Sequence, residues 1–294
     1  MNRPKLILLV GIPGAGKTTY ATKYIEENPN TIHLSSDSIR KELWGDESIQ
    51  GDNSQIFSLM HDRAVEALNN GQNVIHDATN MTRKDRSYMI ELCPKFVQIE
   101  AHVVWAPIET CIGRDAARKR TVGKAVIDKM LKRFQAPYYD EGIDVIEIIR
   151  PEEFNCYQYI DNCFESMDIP HDNPHHTLNI RDHCYEAYKH TGMLKEPQMA
   201  AAAMLHDMGK PYTKEFVDKK GNPCEIAHFY QHHCVGAWMS YGCADRPKYD
   251  GADFVAWLIS THMDPFMNTK YYRRLPAYLK EKVDLLHEAD KAAH

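Results

Sequence analysis

Residues 11–18 read Gly-Ile-Pro-Gly-Ala-Gly-Lys-Thr and follow directly on the apolar run Leu6–Val10. A glycine, four residues, then Gly-Lys-Thr, set between a strand and a helix, is the P-loop pattern. Its glycines let the backbone curl so that N–H groups face phosphate oxygens. The helix that starts at Lys17 adds the positive end of its dipole. Gly11, Gly14, Ala15, Gly16, Lys17, Thr18 and Thr19 are therefore expected to bind a nucleotide. Lys17 would reach the β- and γ-phosphates, and the Thr18 hydroxyl would hold Mg²⁺. The loop specifies phosphate handling without specifying a reaction.

Phosphoryl transfer also needs a group that takes the acceptor's proton and cations that hold the migrating phosphoryl. Asp37, in Leu34-Ser35-Ser36-Asp37-Ser38-Ile39-Arg40, follows the second expected strand and is placed for the base. The plainer role is to cap the next helix. Asp77, in Val74-Ile75-His76-Asp77-Ala78-Thr79-Asn80, ends an expected strand and either partners Mg²⁺ or merely opens a turn. Arg114 and Arg118 begin a basic stretch that continues through Arg120 to Arg133. The two are four apart, so they are expected on one helical face. The stretch is either solvated surface or a lid that closes arginines onto ATP phosphates.

The second half carries different chemistry. Of 16 histidines, four lie in residues 1–150 and twelve beyond. His206-Asp207-Met208-Gly209-Lys210 follows the apolar stretch Met199–Leu205. An adjacent His-Asp pair at a helix end can bind one divalent metal from two sides, and imidazole with carboxylate suits Mn, Fe, Co, Ni or Zn. His183, 23 residues earlier, and Asp290, near the end, can complete such a site. His175 or His176 is the alternative first ligand.

Together these elements resemble two families. Residues 1–150 are similar to 5′-polynucleotide kinases through the P-loop, Ser36-Asp37-Ser38-Ile39-Arg40, Asp77-Ala78-Thr79-Asn80 and Arg114-x-x-x-Arg118-x-Arg120. That resemblance implies Asp37 as general base, Arg40 on a phosphate of the acceptor strand, and Arg114, Arg118 and Arg120 on ATP. Residues 160–294 resemble the HD phosphohydrolase superfamily through His-…-His-Asp-…-Asp. This implies His183, His206, Asp207 and Asp290 as a first metal shell. His228-Phe229-Tyr230-Gln231-His232-His233 and then His262 resemble the extra ligands of binuclear members. Asp207 would then bridge to a second metal held by His232 and His262, and Lys210 would contact substrate phosphate. Lys248-Tyr249-Asp250-Gly251 matches the Lys-x-Asp-Gly core of nucleic-acid ligases, but it falls inside the helical half and reads as a chance match. The familiar phage end-healing enzyme pairs its kinase with an Asp-x-Asp phosphatase, and no Asp-x-Asp occurs in this chain.

The elements that must position these residues alternate in the first half. Strands are expected at Leu6–Val10, Thr31–Leu34, Asn73–His76, Val97–Trp105 and Val145–Ile149. Helices are expected at Lys17–Glu27, Ser38–Leu43, Gln55–Asn69, Arg83–Leu92, Ile108–Arg120 and Ala125–Phe134. Such alternation predicts a parallel sheet covered on both faces, with ligands beyond the carboxyl ends of its strands. The second half has little strand signal. It reads as helices near Asp182–Thr191, Gln198–Met208, His233–Tyr241, Asp253–Thr261 and Leu279–Ala293, broken at Gly192, Pro211, Pro223, Pro247 and Pro265. The fold class is thus an α/β P-loop kinase domain with a parallel sheet (1–152) followed by an all-α HD domain (160–294).

Composition bounds the rest. The chain has 294 residues, 43% hydrophobic and 26% charged, as in a globular protein of two domains. Eight cysteines without a Cys-x-x-Cys pair point to reduced thiols and a cytoplasmic setting. No apolar run approaches a membrane span, so no membrane partner is expected. The net charge of −6 argues against a broad nucleic-acid footprint, and the deficit lies entirely beyond residue 150.

The expected activity is bifunctional end healing. ATP or another NTP, with Mg²⁺, phosphorylates 5′-OH polynucleotide ends. One or two transition metals serve removal of a 3′-phosphate or 2′,3′-cyclic phosphate. The partners are nucleic-acid ends, RNA ahead of DNA, acting before a ligase. Two alternatives stand beside it. One is a small-molecule (nucleoside or nucleotide) kinase with a nucleotide phosphohydrolase. The other is a nucleotide-sensing P-loop that regulates the HD hydrolase.

Overall fold

The structure is a computed structural model and describes residues 3–46, 51–174, 176–191, 196–243 and 251–293. His175 and the 248–250 portion of the ligase-like tetrapeptide lie outside the described residues, as do Gly192 and Pro247. Internal contacts divide the chain into two units. One comprises residues 1–128 and 137–151, the other residues 129–136 and 152–294.

In the first unit, β1 (Lys5–Val10), α1 (Lys17–Glu27), β2 (Thr31–Ser35), α2 (Ser36–Trp44), α3 (Asn53–Asn69) and β3 (Asn73–Asp77) are followed by α4 (Arg83–Leu92), β4 (Gln98–Val104), α5 (Ile108–Ala116), the start of α6 (Lys124–Leu131) and β5 (Val145–Ile149). The sheet has the order β2-β3-β1-β4-β5, and every pairing is parallel. Central β1 is buried on both faces, which is why Leu6–Val10 reads as a continuous apolar run rather than an alternation. Leu6 and Leu8 face Ile39, Ile56, Met60, Ala64 and Met89 of α2, α3 and α4. Ile7 and Leu9 face Ala21 and Tyr24 of α1 on the other side. Ser35 and Asp77 are register partners at the ends of β2 and β3. The Gly11 N–H donates to Thr79 O (3.3 Å), so the turns after β1 and β3 meet at the same sheet edge.

The strands begin and end within a residue or two of their predicted limits, because buried parallel strands announce themselves in apolar runs. The helix expected over Ile108–Arg120 instead stops at Ala116. The buried Asp115 carboxylate accepts from the Val122 and Gly123 N–H groups (3.1 and 2.9 Å) and turns the chain into a loop. Arg118 therefore lies in that loop and does not share a helical face with Arg114.

The second unit contains α7 (Cys156–Ser166), α8 (Ile180–His190), α9 (Pro197–Leu205), α10 (Lys210–Thr213), β6 (Lys214–Val217), β7 (Pro223–Phe229), α11 (His232–Ser240), α12 (Ala252–Thr261), α13 (Asp264–Met267) and α14 (Ala277–Ala292). It is helical, with one addition to the all-α expectation: β6 and β7 form an antiparallel hairpin. The hairpin turns at Gly221 (φ 85°), beside Asn222-Pro223. Residues 129–136, within the first domain by the sequence boundary, group by their contacts with this unit, and the Phe134 ring meets Trp238 edge-on at 5.5 Å. Helix α9 is Met-Ala-Ala-Ala-Ala along most of its length. Its small side chains let the neighbouring helices approach closely enough for their histidines to converge.

Two candidate centres

The P-loop turns at Gly14 (φ 82°) and Gly16 (φ 107°), conformations that side-chain-bearing residues avoid. A Cβ at Gly14 would lie 2.1 Å from Cys111 O, so the loop also depends on glycine for its seat on α5. Lys17 folds over the loop, its Nζ donating to Gly11 O (2.8 Å) and Ile12 O (3.2 Å). Burial pushes its ammonium below the ordinary range, opposed by the nearby Asp77 carboxylate. Thr18 and Thr19 are exposed at the first turn of α1.

Ser35, not Asp37, caps α2 by accepting from the Ser38 N–H (3.5 Å). The capping role that competed for Asp37 is thereby removed. The Asp37 carboxylate instead accepts from Arg40 Nη1 (2.6 Å) and Arg120 Nη1 (3.4 Å). Arg40 is buried and also donates to Asn53 Oδ1 (3.4 Å) at the start of α3. Arg114 Nη1 donates to Gly14 O (3.5 Å), and Arg118 is close enough to Lys17 to depress its pKa. The three arginines therefore reach the loop and the base from a helix end and a loop. Asp77 is buried and bonded to His33 Nε2 (3.0 Å), a partner no sequence pattern signalled.

In the second unit His183 (α8), His206 and Asp207 (after α9) and Asp290 (α14) bring one ligand atom each within 4.8 Å of one another. Asp207, His232 (α11) and His262 (after α12) form a second such set, so Asp207 belongs to both. The His183 Nδ1–H donates to Ala293 O (2.7 Å), His206 to Ala203 O (2.7 Å), His232 to Phe229 O (2.9 Å) and His262 to Ile259 O (2.8 Å). Each backbone carbonyl fixes the tautomer and turns Nε2 inward, as metal-binding histidines require.

The inward atoms fit a cation. His232 Nε2 lies 3.2 Å from His262 Nε2 and 3.1 Å from Asp207 Oδ1. With both Nδ1 atoms donating, neutral rings would place three acceptors face to face. His206 Nε2 is buried and faces the carboxylates of Asp207 (3.4 Å) and Asp290 (3.3 Å), and Asp207 Oδ2 is buried against Lys210 Nζ. Burial alone would raise the Asp207 and Asp290 pKa values. Lys210 and His206 around Asp207, and the His183 and His206 imidazoles beside Asp290, outweigh it and hold both carboxyls ionised, well below the ordinary range. Of the six residues Asp290 alone is partly open, at 21% side-chain exposure; the others are buried.

Gly209 explains how the His-Asp turn reaches α11: a Cβ there would lie 2.1 Å from His232 O. Gln231 takes a left-handed φ of 62° and aims His232. Lys210, expected on substrate phosphate, is buried with Nζ 2.6 Å from Asp207 Oδ2 and 3.1 Å from His171 Nε2. His171, whose Nδ1 donates to Leu178 O (2.9 Å), stacks on His176 at 4.0 Å. Burial first, and Lys210 second, push His171 down to about 4 and His176 to about 3. Sequence reasoning did not single out His171; its only signal was the crowding of histidines in this half. His183 belongs to the four-residue set and His176 does not; its ring stands beside His183, with centroids 4.9 Å apart.

Comparison with known proteins agrees with both domains. Residues 6–137 match the family model of the AAA domain, and residues 175–293 match that of the HD domain. The chain is thus a P-loop kinase-like domain followed by a helical HD domain. The P-loop domain implies a nucleotide with Mg²⁺, and the HD domain a divalent metal.

Transcription factor bHLH140 of Arabidopsis thaliana is 27% identical over 148 residues, 48% of this chain. The chain spans only 15% of that relative's length. Among solved structures, the Pnkp1/Rnl/Hen1 RNA repair complex contains a chain 27% identical, with a TM-score of 0.41 over 45% of this chain and 44% of that one. A fungal RNA kinase is 15% identical, with a TM-score of 0.37 over 52% of this chain and 79% of that one. Among the described residues no helix is long and apolar enough to cross a membrane.

Proposed function

We propose that the protein heals broken polynucleotide ends. One centre transfers the γ-phosphoryl of ATP to a 5′-OH, and the other removes a 3′-phosphate or 2′,3′-cyclic phosphate. The observation that carries the kinase assignment is Asp37 held between Arg40 and Arg120 at the sheet edge that bears the P-loop. Lys17 and the loop N–H groups of residues 14–18 hold the donor phosphates. Arg114 and Arg118 offset charge as the bond to the leaving oxygen breaks. Asp37 takes the acceptor hydroxyl's proton as its oxygen bonds to phosphorus, and ADP leaves. Arg40, tied to Asp37 and Asn53, keeps the carboxylate aimed and lies where an acceptor phosphate would dock. Thr18 and Asp77 would hold Mg²⁺.

In the HD domain His183, His206, Asp207 and Asp290 would hold one metal, and Asp207, His232 and His262 a second. Such metals supply Lewis-acid polarisation of the phosphate and a water that is nucleophilic near neutral pH. Lys210 stands beside Asp207, where its side chain would offset the charge of a phosphate. The pairing has a chemical logic. Breaks that leave a cyclic phosphate also leave a 5′-OH, and a ligase needs both repaired. RNA is the substrate this logic favours, and the cytoplasm is the proposed setting.

The balanced charge of residues 1–150, 20 basic against 20 acidic, favours a second reading with a nucleoside-sized acceptor. Incubation with γ-labelled ATP, Mg²⁺ and a 5′-OH oligonucleotide separates the two. Label is expected on RNA and is expected to fall by about 10²–10⁴-fold in Asp37→Ala, the usual contribution of a general base. No label on RNA or DNA rejects the polynucleotide reading. Undiminished transfer by Asp37→Ala rejects the base.

A further inference from the structure

We propose that residues 266–282 form a surface that binds single-stranded polynucleotide and delivers its 3′ end to the HD metal centre. The proposal rests on the hydrolytic reading of that centre and adds the substrate's size class. The second half is acidic, with 15 Lys and Arg against 21 Asp and Glu beyond residue 150. Residues 266–282 invert that balance. They hold Lys270, Arg273, Arg274, Lys280 and Lys282 against Glu281 alone. Lys270, Arg273 and Arg274 are exposed, and among the described residues none of the three is in an ion pair with a carboxylate. Arg273 spends one N–H on Asn268 O (3.0 Å), which orients the guanidinium without neutralising it.

Aromatic rings alternate with these cations. Phe266 is 76% exposed and Tyr278 66%. Lys280 lies over the Tyr272 ring at 4.7 Å, and the Tyr272 hydroxyl is anchored on Asp284. Trp257 Nε1 donates to the Tyr271 hydroxyl (2.9 Å), so the segment is pinned to α12. Exposed rings beside unpaired cations are the chemistry that binds single strands: bases stack on the rings while phosphates meet the cations. An acidic protein would use the charge but would leave Phe266 and Tyr278 in water.

The position also fits delivery of an end. The segment joins two metal-site elements. It begins four residues after His262 and runs into α14, the helix that carries Asp290. Tyr278 and Asp290 are twelve residues apart on that helix, about 18 Å at ~1.5 Å per residue, the reach of a few nucleotides. Asp290 is the partly open ligand, and it lies on the helix into which the segment runs.

The test compares wild type with R273A/R274A and with F266A/Y278A, in the full chain. Three metal-loaded hydrolysis substrates are used: a 3′-phosphorylated oligonucleotide, a nucleoside 3′-monophosphate and p-nitrophenyl phosphate. Each pair is expected to raise KM for the oligonucleotide about tenfold or more, since stacking and phosphate contacts are each of that order. The kcat, and both parameters for the two small substrates, are expected to stay unchanged. Fluorescence anisotropy with a 5′- and 3′-phosphorylated single strand, in chelator, measures binding without catalysis. There the slope of log K against log salt is expected to fall by about 1.4 in R273A/R274A, about 0.7 for each lost phosphate contact. Unchanged oligonucleotide KM and unchanged salt slope overturn the proposal, as does an equal rise in KM for the nucleotide. If wild type hydrolyses none of the three, the hydrolytic reading fails instead, and the anisotropy still decides whether the surface binds a strand.

Discussion

Removing single ligands from the HD centre should change metal stoichiometry in steps that follow the geometry. Asp207 presents Oδ1 to the pocket of His232 and His262 and Oδ2 to the side of His183 and His206, while His262 serves only the second pocket. Four-ligand protein sites bind a divalent ion with roughly 10–16 kcal/mol, so each ligand contributes about 2.5–4 kcal/mol, on the order of 10²–10³ in affinity. The second pocket has only three protein ligands, and His262→Ala leaves two. That variant is therefore expected to retain one tightly held metal per chain where wild type retains two. Asp207→Asn is expected to retain none, because it removes charge from both pockets at once and leaves Lys210 buried without its carboxylate. The assay is elemental analysis after dialysis against a weak chelator, with metal titration by calorimetry and circular dichroism to confirm folding. Two metals retained by His262→Ala would refute the two-pocket assignment. A folded Asp207→Asn protein with wild-type metal content would refute the bridge.

Three further outcomes follow from buried groups in the first unit. Gly14→Ala is expected to abolish nucleotide binding and lower Tm, because a side chain at φ 82° adds about 1–3 kcal/mol of strain and its Cβ meets Cys111 O at 2.1 Å; nucleotide-dependent thermal shift checks it. Arg86 and Glu141 form a bidentate pair at 2.6 and 2.7 Å, both buried, so Glu141→Gln should cost about 3–5 kcal/mol in urea unfolding, and Arg86→Met/Glu141→Leu should recover most of that. Burial pushes His76 down to about 3, so the unfolded chain binds the extra proton between that value and about 6.5, and stability falls as pH falls through this window. The loss from pH 7 to pH 5 is about 2 kcal/mol for this one residue, and unfolding curves for His76→Phe should lack that part of the acid sensitivity.

Much of the first unit could be read from the chain because its signals are local. Five strands stand where apolar runs lie, and Gly14 and Gly16 of the P-loop occupy left-handed turns that only glycine takes without strain. Asp37 and Asp77 were locatable because strand ends are. Their partners were not: His33, Arg40 and Arg120 reach these carboxylates through register and loop geometry. The sequence spacing of Arg114 and Arg118 even suggested a shared helix face that the Asp115 turn removes.

In the HD unit the residue types alone limited the candidate metal ligands to a few histidines and aspartates. Imidazole and carboxylate chemistry does not depend on the fold. Tertiary structure decided which of the twelve histidines converge. Small residues along α9 and Gly209 bring helices within reach, and four backbone carbonyls, each next to a helix end, choose the nitrogen that faces inward. His171 and the surface at residues 266–282 show the same division. Pattern reveals what a side chain can do, but only folding places an imidazole beside Lys210, or leaves aromatic rings and cations together in water.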